Sequence, residues 1–332
     1  MKKIQYSIYK RDTGNASGKA KKDCLEIMEK MGFSHLYEPS NIQGIRVIQQ
    51  FFSLLFLTLK KEKKVFVLQY PAVHEMFYSL IIKAIHKMDV SIAIIHDLLS
   101  LQNNLNNEDL QNEIEFFNYF KYIIVPNKSM QKLLEKNGCK AKLINMEIYD
   151  YLHDSKHSIV KSEFDGNICF AGNLQKSLFL QNIDKIKNVK FLIYGKNGNY
   201  LEKSNVEYKG CLPADDLVYL LEGDYGLVWD GDSLDECTGT VGRYLLYNSP
   251  HKLSSYIAAG KPIITWNNAA IAEYVKKYNI GIVVSSLKEL EKIDLRKNFI
   301  EYRNNVMLLK EKLATGFYLK KAISTILEEE NL

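Results

Sequence analysis

Short apolar runs alternate with amphipathic stretches along this chain, and the alternation runs through twice. In the first half, residues 3–9 read as a strand, and 64–69, 90–95 and 122–125 are strand-like and rich in β-branched residues. Between them, 19–31, 46–59, 74–88 and 108–119 read as helices. The stretch 46–59 carries Val47, Ile48, Phe51, Leu54, Leu55 and Phe56 at helical spacing, with Phe52 blurring the apolar face. Asn127 predicts the cap of a helix over 127–137 that Gly138 closes.

Residues 151–165 are polar and non-periodic and read as a connection between domains. The alternation then restarts, with strands predicted at 167–171, 190–195, 225–229, 262–266 and 281–284. Helices are predicted at 177–186, 213–222, 251–259, 269–277 and 300–313. A last amphipathic helix, 317–329, shows Phe317, Leu319, Ala322, Ile323, Ile326 and Leu327. Two βα-alternating halves imply an α/β protein with two facing, doubly wound, Rossmann-like domains. Ligands in such sheets bind beyond the carboxyl ends of the strands, so the active site is expected in the interdomain cleft.

Length and composition agree with this picture. The 332 residues suit two domains of about 150 residues each. A hydrophobic content of 46% and a charged content of 25% exclude a disordered or fibrous chain. The five cysteines (24, 139, 169, 211 and 237) are odd in number and form no C-x-x-C pair. A disulfide framework or zinc site is therefore not expected, and a reducing compartment is. No segment reads as a signal peptide, and the apolar run 51–59 is too short to cross a bilayer, so a cytoplasmic protein is expected.

The net charge is +5, but residues 1–64 alone hold 13 Lys/Arg against 6 Asp/Glu. Two readings of that excess stand side by side: contact with anionic lipid at the inner face of a membrane, or a solvated surface. Nucleic-acid binding is excluded as a class, because the overall excess is small and no reader motif is present.

Candidate chemistry concentrates at strand ends. The run 225–229 ends in Asp230-Gly231-Asp232, and Pro250-His251-Lys252 opens a short helix. Lys252 thus falls in a first helical turn, beside unpaired backbone N–H groups and the positive end of the dipole, which suits a diphosphate. His251 reads as a ligand contact or a helix-start residue, while Ser254 and Ser255 bring small hydroxyl groups to the same helix. Gly172-Asn173 follows strand 167–171 as a turn where backbone can approach a phosphate closely. Arg11 to Gly18 forms a second glycine-bearing turn around Gly14. His96-Asp97 ends strand 90–95; this pair supplies a general base or caps the strand end. Glu75 is the other candidate base.

Gly226 to Ser233, Glu236-Cys237, Gly239 to Gly242 and Asn248 to Lys252 follow one another in the chain. On these residues the chain resembles GT-B glycosyltransferases, in particular bacterial β-1,6-galactofuranosyltransferases of O-antigen and capsule assembly. It also resembles the related glucosyltransferases that extend O-linked GlcNAc on adhesins. The likeness runs with gaps from Arg11 to Gly316 and is most specific over 225–262.

The resemblance implies an acceptor-side domain over 1–155 and a nucleotide-sugar domain over 165–314. It also implies that the helix in 315–332 crosses back to the first domain. It implies an inverting transfer from a UDP-sugar, with galactofuranose favoured, onto a saccharide acceptor that is lipid-linked. Lys176 aligns with a basic nucleotide-binding residue, so Lys252 and Lys176 are expected around the departing UDP. Asp97 is expected as base, with His96 orienting it or touching sugar. Gly14 is expected to give close backbone approach, and Arg11 or Lys19 to meet an acceptor pyrophosphate.

Asp230 and Asp232 mimic a D-x-D metal motif, but two acids beside a diphosphate would repel it without a metal. They are expected to face sugar hydroxyls or cap a loop, with no metal and no cofactor. Two rival readings remain: a UDP-glucose enzyme acting on protein-linked GlcNAc, and a non-catalytic subunit of a partner transferase. Homo-oligomerisation is left open.

Overall fold

The computed structural model describes residues 1–7, 16–36, 43–59, 64–71, 77–103, 107–154 and 164–332. The chain divides into two compact units. One comprises Met1–Thr13, Lys21–Glu147 and Tyr318–Leu332, the other Gly14–Ala20 and Ile148–Phe317.

The first unit holds β1 (Lys2–Tyr6), the part of α1 (Ala16–Lys30) from Lys21 onward, β2 (Ser34–His35), α2 (Gln43–Leu59), β3 (Lys64–Tyr70) and α3 (Tyr78–Ile85). It continues through β4 (Val90–Ile95), α4 (Leu99–Gln102), α5 (Asn107–Phe117), β5 (Tyr122–Val125), α6 (Lys128–Lys136) and β6 (Lys142–Asn145). The six strands form one parallel sheet in the order β2-β1-β3-β4-β5-β6. Strands β3 and β4 are buried along their whole length, as expected of central parallel strands, and their apolar runs lack alternation for that reason. Asn127 caps α6 by accepting the Met130 N–H at 2.9 Å.

The second unit holds β7 (Ile168–Ala171), β8 (Phe191–Tyr194), β9 (Val206–Tyr208), α7 (Ala214–Leu220), β10 (Tyr225–Val228) and α8 (Gly239–Tyr244). It continues with α9 (His251–Ala258), β11 (Ile263–Trp266), α10 (Ala272–Lys277), β12 (Gly281–Val284) and α11 (Phe299–Thr315). Its parallel sheet has the order β12-β11-β10-β7-β8-β9. Read from its own first strand this is 3-2-1-4-5-6, the dinucleotide-binding order, with the direction of winding reversing between β7 and β10. The last helix, α12 (Phe317–Glu329), is grouped with the first unit from Tyr318 onward. Glu330, just past its end, accepts from Lys121 Nζ (2.6 Å) and Tyr122 Oη (2.5 Å), and Glu329 pairs with Lys142.

Several elements depart from the sequence expectation. The strands β2, β6 and β9 were not anticipated: each is at a sheet edge or next to one, is short, and lacks a buried apolar run. The stretch expected as a helix over 177–186 is a 3-10 segment, Leu178–Lys185. There the Phe179 N–H goes to the Gly231 carbonyl (3.0 Å), a bond outside any α-helical ladder. Among the described residues no helix is long and apolar enough to cross a membrane.

Candidate active site

The reversal of winding in the second sheet marks where a ligand crevice forms, outside the carboxyl ends of β7 and β10. Gly172 follows β7 there, and Trp229-Asp230 follows β10. Helix α9 is docked over this point by an arrangement that begins in β10. Gly226 has no side chain, and a Cβ at that position would lie 2.3 Å from the Tyr256 ring, so glycine is what admits the ring. The Tyr256 hydroxyl then accepts the Ala171 N–H at 2.8 Å, tying α9 to the last residue of β7. Pro250 at the N-cap offers no side-chain acceptor, and His251 and Lys252 form the first turn.

Lys252 reaches back across the strand ends. Its Nζ lies 2.8 Å from both carboxylate oxygens of Asp230 and 4.4 Å from the centre of the Phe170 ring. Ser177 Oγ donates to Asp230 Oδ1 at 3.0 Å. A Cβ at Gly172 would lie 2.8 Å from Lys252 Cε, so a bare backbone is what lets the lysine lie along the turn. The two charged side chains are 15% and 12% exposed, shielded enough for their attraction to matter and open enough for an anion to compete for the ammonium.

The acids of Asp230-Gly231-Asp232 therefore split. Asp230 does not stand free for sugar hydroxyls, because the lysine 22 residues on neutralises it. Asp232 caps its loop by accepting from Thr238 Oγ1, and Trp229 Nε1 closes the same loop through the Ser233 carbonyl (2.9 Å). Glu236 is exposed, and Gly239–Gly242 falls in α8.

Lys176 is exposed on the Gly172–Lys176 turn, where Asn173 Oδ1 accepts the Gln175 N–H at 3.0 Å. The two serines of α9 are turned to other partners than a ligand. Ser254 Oγ donates to the Tyr149 carbonyl (2.6 Å) and Ser255 Oγ to the Lys252 carbonyl (2.9 Å). Lys19, expected near an acceptor pyrophosphate, donates to the Leu152 carbonyl at 2.8 Å, lies over the Tyr151 ring and pairs with Asp215.

His251 stacks on the other partner of that cluster, the Tyr151 ring, at 5.1 Å between centroids. Its Nε2 is buried without a hydrogen-bond partner. Burial, with a smaller push from the Lys19 ammonium, lowers its pKa to about 3. The folded protein thus keeps this ring neutral while the unfolded chain protonates it near pH 6.5, so stability is full above that pH and falls as pH drops toward 3. Between pH 7.5 and 5 the loss from this one group is expected to reach about 2 kcal/mol. Comparing urea unfolding of the wild type and His251→Asn at both pH values checks it: the variant should lose less stability on acidification.

In the first unit, β4 delivers His96 to the strand end. Its N–H donates to the Tyr70 carbonyl (2.8 Å), and its Nε2 lies 2.8 Å from Gln69 Oε1. Gln69 Nε2 donates to the Lys21 carbonyl (3.3 Å), so the amide turns its oxygen to the ring and His96 Nε2 carries the proton. Asp97 is half-buried. The neighbouring Lys21 ammonium, which donates to the Pro71 carbonyl, has its pKa lowered by burial, an effect the Asp97 charge opposes. The loop beyond is held by buried Glu113, which accepts from Tyr70 Oη (2.6 Å), Leu99 N (2.8 Å), Ser100 N (3.1 Å) and Ser100 Oγ. Gly14, Arg11 and Glu75 lie outside the described residues.

Tyr256, Ser177, Gln69 and Glu113 were not foreseen. A tyrosine in the middle of a short apolar helix, next to a strand glycine, is the one signal that pointed to Tyr256.

Two parallel six-stranded sheets, the second with a lysine-bearing helix start at its switch point, have the GT-B fold. The chain belongs to the glucosyltransferase 3-like family: residues 3–148 match that family's N-terminal domain and residues 168–326 its C-terminal domain. It is 27% identical over 336 residues to β-1,6-galactofuranosyltransferase WbbI of Escherichia coli strain K12, covering 95% of both chains. It is also 27% identical over 241 residues to glucosyltransferase 3 of Streptococcus gordonii, covering 70% of this chain and 69% of that one. Among solved structures, Anabaena Alr3699/HepE in complex with UDP and glucose shares the fold, with TM-score 0.60, 10% identity and both chains covered in full.

Proposed function

We propose that this protein transfers galactofuranose from its UDP donor, with inversion, to a saccharide acceptor that is lipid-linked. The observation that carries the reading is Lys252, in the first turn of α9, reaching the crevice outside β7 and β10. That is where a doubly wound sheet takes a nucleotide diphosphate. A nearly full-length likeness to a galactofuranosyltransferase supports the furanose donor, and a UDP-bound relative in fold supports the nucleotide.

In this reading the acceptor oxygen bonds to the anomeric carbon while the bond to the β-phosphate oxygen breaks. Asp97 takes the acceptor proton, with His96 orienting it. Lys252, Lys176 and the start of α9 meet the negative charge that grows on departing UDP, an interaction strongest in the transition state. The ammonium exchanges Asp230 for phosphate oxygen as the donor arrives. With two lysines and a helix start supplying the positive charge, no metal is required.

A second reading, transfer of glucose from UDP-glucose to protein-linked GlcNAc, is favoured by the glucosyltransferase 3-like match in both domains. UDP release measured in EDTA, with UDP-galactofuranose and UDP-glucose and an alkyl glycoside acceptor, separates the two. Turnover of the furanose donor alone supports the first reading. Turnover of UDP-glucose alone replaces it with the second, and failure of both to bind or turn over points to a non-catalytic subunit.

A further inference from the structure

The first sheet has a switch point of its own. In the order β2-β1-β3-β4-β5-β6 the winding reverses between β1 and β3, which places a crevice outside the carboxyl ends of those strands. Pro71 follows β3 there, and the register that pairs Tyr70 with Ile95 brings His96-Asp97, at the end of β4, alongside it. Helix α1 sends Lys21 to this point. The Lys21 ammonium donates to the Pro71 carbonyl. Its backbone carbonyl accepts from Gln69 Nε2 (3.3 Å), and the Gln69 amide oxygen lies 2.8 Å from His96 Nε2. One residue thus reaches both members of the pair, His96 through Gln69 and Asp97 through charge.

Lys21 is only 9% exposed, whereas Lys22 beside it is open to solvent. Burying an ammonium is costly, and one bond to a neutral carbonyl does not offset the cost; a facing carboxylate does. Burial lowers the Lys21 pKa, and the Asp97 charge is the foremost of the effects opposing it, ahead of Cys24 one turn further along α1. The other ionisable groups here are committed elsewhere. His96 Nε2 donates to Gln69, and Glu113 of α5 accepts from Tyr70, Leu99 and Ser100. Resting on the assignment of Asp97 as base, we propose that Lys21 is its positioning residue: the buried ammonium, anchored on the Pro71 carbonyl, keeps the Asp97 carboxylate ionised and in place at the end of β4. The acceptor's proton goes to Asp97, and Lys21 keeps its own protons throughout. The ammonium weakens the base but keeps it unprotonated to lower pH.

The test follows the Asp97 carboxyl carbon by NMR as pH is lowered, in full-length protein labelled with carbon-13 at aspartate and assigned by the signal lost in Asp97→Asn. In Lys21→Met the titration midpoint is expected to rise by about one pH unit or more, and in Lys21→Arg, which keeps the charge, to stay near wild type. The acidic limb of kcat/KM should move with it, so that turnover on that limb falls about tenfold for each unit. A lysine that only holds the Pro71 turn would leave the midpoint where it is. An unmoved midpoint in Lys21→Met therefore overturns the proposal, whatever the activity. Should that variant not fold, Lys21→Gln, which keeps an N–H donor without the charge, gives the same readout. If the midpoint moves while Asp97→Asn retains full turnover, the coupling of Lys21 to Asp97 stands and Asp97 is removed as the base.

Discussion

Lys252→Ala is expected to lower kcat/KM for the UDP-sugar by about 10²- to 10³-fold, the range seen when one preorganised stabiliser of developing charge is removed. The same substitution strands Asp230, whose side chain is only 12% exposed and keeps a single partner, Ser177 Oγ. A stability loss of about 2–3 kcal/mol should accompany it, below the cost of breaking a fully buried pair because some solvent reaches the carboxylate. The two effects come apart in the double variant Lys252→Ala, Asp230→Asn. Removing the orphan charge is expected to restore the melting temperature, while turnover stays low because the proposed phosphate partner is still missing. Asp230→Asn alone frees the ammonium and is expected to tighten UDP binding severalfold by calorimetry. Recovery of turnover in the double variant would make the pair structural and remove Lys252 from the chemistry.

That pairing shows where reading the sequence stopped. The apolar run ending in Asp230 and the Pro-His-Lys start of α9 were legible, because strand burial and helix starts leave local signatures. What could not be read was that the two features meet. The contact between Lys252 and Asp230 spans 22 residues, and that between Tyr256 and Ala171 spans 85. Periodicity says which face of α9 is buried; it does not say which backbone N–H its tyrosine hydroxyl will find. Ser254 illustrates the converse. Its small hydroxyl near a helix start looked suited to phosphate, yet the chain at Tyr149 passes close enough to take it. The edge strand β6 failed for a different reason: Lys142 and Asn145 bracket only two apolar residues, a pattern a loop would share.

Glu113 belongs to the same illegible class, and its removal is expected to be the most damaging change in the first unit. It lies on α5, yet its two oxygens serve the start of α4, where the N-cap Leu98 has no side-chain acceptor of its own. Four donors converge on it: the Tyr70 hydroxyl, the Leu99 and Ser100 N–H groups, and the Ser100 hydroxyl. Leucine at 113 would leave all four without that acceptor, three of them in buried positions; at about 1–3 kcal/mol for each stranded group after partial relaxation, a loss of about 3–4 kcal/mol follows. For a unit of this size that is a fall of roughly 10 °C in melting temperature. Glutamine, with one acceptor oxygen in place of two, should fall between. The loop so fixed begins at Asp97, so Glu113 acts as a positioning residue for the proposed base. At a temperature where Glu113→Gln remains folded, kcat should drop while UDP affinity, which the proposed function assigns to the second unit, holds. A parallel fall of both would mean that the substitution disturbs the fold as a whole and that the 97–100 loop has no separate role in turnover.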